Sequence, residues 1–292
     1  MRKLLGWIRA LRPKQWTKNA LVFAGLIFGH QFQHPRQVLV AVVAFALFCA
    51  LSSAIYLVND VCDIEEDRRH PRKCNRPFAA GILAPSTGII SALALMAVAL
   101  GGFFSLNLAS GLVAVAYVAL QFAYSLRLKH VVILDLLCVS LGFVIRAAIG
   151  ATAINVVISP WLLVCTILLA LFLTMCKRRQ ELQNAGPEAS NQRPILGEYS
   201  PYLLDQMIAV VTASTLTSYC VYTMSDRTVH ELGTDKLVYT IPFVLYGIFR
   251  YLYLVHQREE GEAPDRVLLT DAPLLLNVVL YALTVLVILA WK

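Results

Sequence analysis

Charge is scarce in this chain. Only 15% of its residues are Asp, Glu, Lys or Arg, against about 25% in soluble domains, while 58% are hydrophobic. That balance excludes an ordinary soluble enzyme and indicates an integral membrane protein. Paired cysteine is missing as well. The seven cysteines (Cys49, Cys62, Cys74, Cys138, Cys165, Cys176, Cys220) are odd in number, scattered and free of CxxC spacing, which argues against disulfides and zinc. They read as small apolar fillers, and the six histidines are equally dispersed. No arginine-rich, aromatic-stacking stretch suggests nucleic acid. A short apolar run followed by a small-residue cleavage site is also lacking, so MRKLLGWIRALRPKQWTKN is expected to be a retained basic, amphipathic lead.

What is present in quantity is apolar sequence in lengths that cross a bilayer, since about 20 residues at 1.5 Å rise span the hydrocarbon layer. Nine such runs are expected, over 20–34, 38–58, 87–106, 108–125, 131–151, 158–176, 205–225, 237–255 and 272–291. Asn107 to Gly111 and Asn155 to Pro160 mark tight hairpins. The expected fold is all-α: a single polytopic domain over 1–292, with helices around a central cavity. Helices one to four and five to eight echo each other as a diverged repeat, each half placing a charged loop after its second helix, and a ninth helix follows.

Lys and Arg set the orientation, because positive loops stay in the cytoplasm. With the N-terminus inside, the cytoplasmic segments hold Arg2, Lys3, Arg9, Arg12, Lys14 and Lys18, then Arg68, Arg69, Arg72, Lys73 and Arg76. Arg127, Lys129, Lys177, Arg178, Arg179, Arg193, Arg258 and Arg266 follow, and the far side has Arg36, Arg227, Lys236 and Lys292. The net charge of +7 is therefore largely positive-inside bias, in keeping with the inner membrane and with anionic substrates. Arg146 and Arg250 fall within spans. A lipid-facing guanidinium at mid-helix costs on the order of 3 kcal/mol or more, so Arg146 must face a cavity or a partner. Asp135 and Asp271 lie near cytoplasmic helix ends, and Trp7 and Trp16 read as interfacial anchors.

The densest charge follows the second span, in YLVNDVCDIEEDRRHPRKCNRP at 56–77. On a continued helix Asn59, Asp63 and Asp67 stand at i, i+4, i+8 and Asp60, Asp63 and Asp67 at i, i+3, i+7, so all four share one face. Carboxylates at that spacing repel, and something cationic is expected between them. Oxygen ligands with no Cys or His suit Mg²⁺, which keeps waters and bridges to phosphates. The following cations, Lys73 and Arg76 among them, suit phosphate oxygens, and the whole reads as a diphosphate site.

NDVCDIEED fits NDxxDxxxD, and in this the chain resembles the UbiA superfamily of intramembrane prenyltransferases, nine-helix proteins with motif-bearing cytoplasmic loops after the second and sixth helices. The resemblance implies that Asn59, Asp60, Asp63 and Asp67 bind Mg²⁺-diphosphate, with Asp60 and Asp63 catalytic. The second loop departs from the pattern. Where that family has a second acidic motif, this chain has MCKRRQELQNAG, with Lys177, Arg178 and Arg179 beside a single acid, Glu181. Such a loop should grip phosphate directly.

LRPKQWTKN at 11–19, DRRHPRKCNRPFAAG at 67–81, YSLRLKHVVILD at 124–135, GFVIRAAIGA at 142–151 and KRRQEL at 177–182 together resemble one branch, the decaprenyl-phosphate phosphoribosyltransferases. That resemblance implies transfer of phosphoribose from 5-phosphoribosyl diphosphate to a polyprenyl phosphate in the membrane, with release of diphosphate, for a cell-envelope arabinan-type precursor. Losing diphosphate from C1 of ribose develops oxocarbenium character, so the reaction chiefly needs leaving-group charge neutralised and the acceptor oxygen held in line. The acceptor phosphate is already an anion and needs no strong base, consistent with the lack of an obvious His–carboxylate or Ser–His arrangement.

The cations distribute accordingly: Lys73 and Arg76 to the diphosphate, Lys177 and Arg178 to the 5-phosphate with Glu181 orienting a cation or a ribose hydroxyl, and Arg12, Lys14 and Lys18 to the lipid headgroup. Tyr124, Lys129 and Arg146 stand behind them as substrate contacts, and Gly81, Gly186 and Gly197 are candidate hinges. Self-association into a homo-oligomer is compatible with all this. Two other functions stand beside this one: a UbiA-type prenyltransferase that alkylates an aromatic acid from a prenyl diphosphate, and an ion-coupled transporter using Arg146 and the boundary acids. The first requires a second acid cluster, and the second would place charges nearer mid-membrane.

Overall fold

A computed structural model describes residues 2–29, 31–69, 73–157, 159–185, 194–258, 261 and 264–290, and these are helical with no strand among them. The α-helices, numbered in chain order, are α1 (Arg2–Ala10), α2 (Ala24–Phe28), α3 (Pro35–Cys62), α4 (Ile64–Arg69), α5 (Pro85–Leu106), α6 (Leu108–Leu126) and α7 (Leu134–Ala153). They continue with α8 (Pro160–Ala185), α9 (Pro201–Met224), α10 (Asp226–Leu232), α11 (Ile241–Gln257), α12 (Pro264–Thr270) and α13 (Ala272–Ala290). Among the described residues eight helices are long and apolar enough to cross a membrane. They correspond to the second through ninth expected spans, and large apolar side chains such as Leu39, Ile90, Val98 and Val210 stay exposed on them, as a lipid-facing surface requires. The protein is a multi-pass membrane protein.

The expected first span is built differently. In place of one α-helix over 20–34, a 3₁₀ run over Pro13–Phe23 leads into the short α2. The segment lies with its backbone close against the end of α7. A Cβ on Gly25 would sit 2.7 Å from Ala151 Cα, and one on Gly150 would collide with the Val22 carbonyl. A regular helix with side chains at both positions could not lie so near.

Helix α3, with 28 residues, is about 42 Å long, well beyond the ~30 Å of hydrocarbon. Its last turn, bearing Asn59 and Asp60, thus has room to leave the apolar layer. The first expected hairpin forms, with α5 packed against α6. Asn107 breaks the chain between α5 and α6, its Oδ1 accepting from Ser110 N at 2.8 Å while its Nδ2 donates to the Thr152 carbonyl at 2.8 Å. Asn155 turns it after α7 with φ 55°. Helix α8 runs nine residues past the expected end of its span at 176, because KRRQELQNA is rich in helix formers with acid–base pairs at i+3 and i+4. The charged stretch after it was expected as a loop; its first part is helix.

The chain clusters into two compact units: residues 1–126 with 145–157, and residues 127–144 with 158–292. The first is centred on Phe48, Leu51, Ile55, Phe103, Tyr117 and Ile149. The second is centred on Leu136, Phe172, Met175, Leu204, Tyr251 and Val255. Arg72, Gly186 and Arg193 lie outside the described residues. Gly81 takes φ 69° in a turn, where its lack of a Cβ is used, and Gly197 falls in a 3₁₀ turn over Pro194–Glu198.

Candidate active site

In the first unit the four motif residues stay on one continuous helical ladder. Helix α3 ends at Cys62, yet Asp63 N donates to the Asn59 carbonyl at 2.9 Å and Asp67 N to the Asp63 carbonyl at 2.8 Å, so the i+4 register runs on into α4. Asp60 and Asp67 are buried, Asn59 and Asp63 half-buried. The cation expected between these acids is present as arginine. One Arg76 nitrogen, Nη1, lies 3.1 Å from Asp60 Oδ1 and donates to Asp67 Oδ2 at 2.8 Å, and Arg12 Nη2 donates to Asp60 Oδ1 as well. Two buried carboxylates thus converge on a single point of positive charge. Asn59 Oδ1 accepts from Ser125 Oγ at 3.0 Å, which anchors it to the end of α6.

Arg12 reaches Asp60 from a left-handed backbone (φ 52°, ψ 57°), with its guanidinium 4.7 Å over the Tyr56 ring. Behind it, Ser53 Oγ donates to the Leu11 carbonyl at 2.8 Å and accepts from the Trp16 indole at 3.1 Å. Trp16 is therefore tied to α3, and Trp7 packs edge-on to Phe78 at 6.4 Å; both were expected as interfacial anchors. Lys14 is exposed, while Lys18, Lys73 and Tyr124 are half-buried.

Deeper along α3, Asn19 donates to Ser52 Oγ at 3.1 Å and Cys49 Sγ at 3.3 Å, and accepts from Arg146 Nε at 3.0 Å. Arg146 is 6% exposed; it also donates to Tyr117 Oη at 3.4 Å and lies over the Phe48 and Tyr117 rings at 5.4 and 5.5 Å. Among its partners are an amide, a phenol and two aromatic faces.

The second unit holds the charged end of α8. Arg178 is 3% exposed, its Nε donating to Asp135 Oδ2 at 3.1 Å and its Nη1 to Glu181 Oε2 at 2.5 Å. Lys177 Nζ lies 3.6 Å from Glu181 Oε1. Asp135, fully buried at the start of α7, also accepts from Tyr199 Oη at 2.7 Å. Burial and that hydrogen bond hold the Tyr199 hydroxyl well above its ordinary pKa. Arg179 pairs with Asp205 through Nε at 2.5 Å, and His256 Nε2 meets the same Asp205 Oδ1 at 3.3 Å. Lys129 is half-buried in the short 3₁₀ turn before α7. Arg250 and Asp271 form a two-bond pair at 2.8 and 3.1 Å, and Asp271 Oδ1 caps α13 by accepting from Leu274 N at 2.9 Å.

Sequence reasoning gave no role to Asn19, Ser53, Tyr117, Tyr199, Asp205 or His256. Of these only Asn19 stood inside a quoted motif.

A helical membrane bundle with an Asn/Asp ladder after its long second span defines a class, and the comparisons agree with it. Residues 20–277 match the model of the UbiA prenyltransferase family, and the chain belongs to that family. Its particular relatives are narrower. The chain is 36% identical over 275 residues to the decaprenyl-phosphate phosphoribosyltransferase of Corynebacterium glutamicum, covering 91% of this chain and 81% of the relative. It is 35% identical over 280 residues to that of Mycolicibacterium smegmatis, covering 91% and 86%. Among solved structures, a UbiA homolog from Archaeoglobus fulgidus bound to GPP and Mg²⁺ shares the fold with a TM-score of 0.72 over 98% of this chain and 99% of that one, at 16% identity.

Proposed function

We propose that this protein transfers 5-phosphoribose from phosphoribosyl diphosphate to a polyprenyl phosphate of the decaprenyl type, releasing diphosphate, at the cytoplasmic face of the inner membrane, toward an arabinan-type envelope precursor. One observation carries the reading. The end of α8 presents Lys177, Arg178 and Arg179 with Glu181, where a prenyl-diphosphate enzyme would need a second acid cluster. The two relatives named above, each 35% identical or more, carry the corresponding name. A family whose described activity is prenyl transfer also favours an enzyme over a transporter.

The donor set fits Mg²⁺. Among the described residues no three acid, His or Cys side chains converge as a metal cage, but Mg²⁺ is ordinarily held by one or two carboxylates with waters and substrate phosphates. Asp60 and Asp67 already converge on one cationic nitrogen. They would hold the metal, with Asp63 and the Asn59 amide beside them. Bound there, Mg²⁺ would neutralise charge developing on the departing diphosphate.

The chain's own residues do the rest. The C1–O bond to diphosphate breaks with its electron pair leaving on the diphosphate, and a lipid phosphate oxygen forms the new bond to C1. Arg76 and Lys73 take diphosphate oxygens. Arg12, Lys14 and Lys18 take the lipid phosphate, the strained Arg12 backbone being fixed by the Ser53 and Trp16 bonds. Lys177, with 43% of its side chain exposed, takes the 5-phosphate. Arg178, assigned to the same phosphate from sequence, lies between Asp135 and Glu181 and orients Glu181 toward a ribose hydroxyl. Tyr124, Lys129 and Arg146 complete the substrate contacts.

The test supplies the purified protein with labelled phosphoribosyl diphosphate plus polyprenyl phosphate, and separately with labelled prenyl diphosphate plus 4-hydroxybenzoate. Labelled product only in the first, as label moved from phosphoribosyl diphosphate into lipid, supports the proposal. Product only in the second would replace it with aromatic prenylation.

A further inference from the structure

Ile133 is the one β-branched residue at positive φ among the described residues, with φ 70°. A β-branched side chain there is a true outlier, costing on the order of 1–3 kcal/mol, and such strain persists only where its surroundings over-determine it. What holds it is visible. The Ile133 amide, turned by this backbone, donates to Tyr199 Oη at 2.8 Å, and Tyr199 Oη donates to Asp135 Oδ1 at 2.7 Å. The same Asp135 offers its other oxygen to Arg178 Nε at 3.1 Å, and Arg178 grips Glu181. Tyr199 is itself fixed. It is 4% exposed in the core with Leu136, Ile195 and Leu204, and Ser200 beside it caps α9 by accepting from Leu203 N. A phenol has one proton to donate. With the amide proton entering the hydroxyl, its own proton can go only to the carboxylate, so the chain of bonds has a single direction.

We propose that Tyr199 is a positioning residue of the donor site: its hydroxyl locks the Asp135 carboxylate in the orientation that aims Arg178, and through Arg178 holds Glu181 beside Lys177. This rests on the reading of Lys177, Arg178 and Glu181 as contacts to the phosphoribosyl half of the donor. Tyr199 touches no substrate. It removes the freedom of a buried carboxylate that would otherwise rotate and let the guanidinium swing.

Steady-state kinetics of full-length Tyr199→Phe with phosphoribosyl diphosphate and polyprenyl phosphate test this. The ring and its packing are kept and only the hydroxyl is lost. The donor KM should rise about fivefold to tenfold, the scale of one net hydrogen bond felt at second hand, with kcat within about twofold and the lipid KM unchanged. Asp135→Asn, which keeps an oxygen for Tyr199 but weakens the hold on Arg178, should move the donor KM the same way. A purely structural tyrosine would lower the melting temperature and the active fraction while leaving both KM values alone. That result, or an equal rise in both KM values, overturns the proposal, and either folded variant suffices to decide. Lys177→Ala run in parallel separates the layers. If it leaves the donor KM unchanged, the donor-site reading fails; if it raises the donor KM while Tyr199→Phe does not, only the positioning role fails.

Discussion

At the end of α3 the acids are buried and more exposed arginines come to them; at the end of α8 the arginines are buried, one of them against the equally buried Asp135, and the more exposed Glu181 and Asp205 come to them. The side chains of Asp60 and Asp67 are 2% exposed, against 24% for Arg12 and 28% for Arg76. In the second unit Arg178 is 4% exposed against 23% for Glu181, and Arg179 10% against 38% for Asp205. A buried ion cannot be left unpaired, so it is fixed, whereas its rim partner keeps solvent as an alternative. The fixed members are therefore carboxylates in the first region and, in the second, guanidinium groups together with the fully buried Asp135. The rim members available to an incoming ligand are cations in the first and acids plus Lys177 in the second.

The largest expected effect breaks the first region. Asp60→Asn should reduce Mg²⁺-dependent turnover by about 100-fold or more, the scale of losing a metal-holding or charge-stabilising group. Acids at i, i+3 and i+7 would suggest relief of repulsion and a higher melting temperature. Arg12 and Arg76 reverse that expectation, because the variant takes the carboxylate from Arg12 and leaves Arg76 with Asp67 alone, so the melting temperature of the metal-free protein should fall. Asp63→Asn, at a half-buried position, should lose turnover with a smaller change in stability. Near-normal turnover in both would remove the metal assignment, and a rise in melting temperature for Asp60→Asn would show that the arginine pairs contribute nothing.

That reversal shows what the sequence made legible. The ladder from Asn59 to Asp67 was readable because its members lie within three helical turns, where spacing alone sets the face. The eight long spans were readable because polar groups in hydrocarbon are costly enough to mark their ends. Arg146 could be identified as enclosed, but its Asn19 partner lies 127 positions away. Tyr199 lies 64 positions from Asp135, and a lone tyrosine before a helix carries no local signal. The 3₁₀ form of Pro13–Phe23 was hidden too, as was the close approach of Val22 to Gly150, which lies 128 positions further along the chain.

In the second region, Arg178→Ala and Lys177→Ala should separate stability from binding. Removing Arg178 leaves Asp135 buried and without its guanidinium, a loss of about 3–5 kcal/mol in stability, read as a lower melting temperature or denaturant midpoint. Lys177→Ala should leave stability within about 0.5 kcal/mol and weaken phosphoribosyl diphosphate binding by roughly 1.5–3 kcal/mol, with Mg²⁺-diphosphate binding unchanged. Equal losses for both ligands would return Lys177 to a prenyl-diphosphate role. Equal stability losses in the two variants would erase the distinction between fixed and rim members.

A smaller effect comes from the Arg250–Asp271 pair, which serves neither region. The hydrogen bonds from Arg250, with help from the Leu274 amide, hold the Asp271 carboxyl below its ordinary value. Its contribution to stability is therefore present above the unfolded carboxylate pKa near ~3.9 and is lost as pH falls through the lower folded value. Comparing melting temperatures of the parent and Asp271→Asn, the gap should be constant from neutral pH to about 5 and shrink below about 4. A gap that persists unchanged at pH 3 would assign the pair's effect to packing.

The smallest expected change sharpens the comparison at its most strained point. Both regions contain a residue in the left-handed backbone region: Arg12, which reaches Asp60, and Ile133, whose amide meets Tyr199. Ile133 is exposed, so its side chain contributes little burial to set against the strain. Ile133→Gly keeps the amide and its bond to Tyr199 while removing the Cβ that makes φ 70° costly. The relief, about 1–2 kcal/mol, is offset by the greater freedom glycine has when unfolded, about 0.5–1 kcal/mol. The net should be a slight gain, with the melting temperature unchanged or a few degrees higher and the affinity for phosphoribosyl diphosphate held. A clear loss of stability would mean that the isoleucine side chain stabilises the turn, and weakened donor binding with stability intact would mean that the strain itself aims the amide.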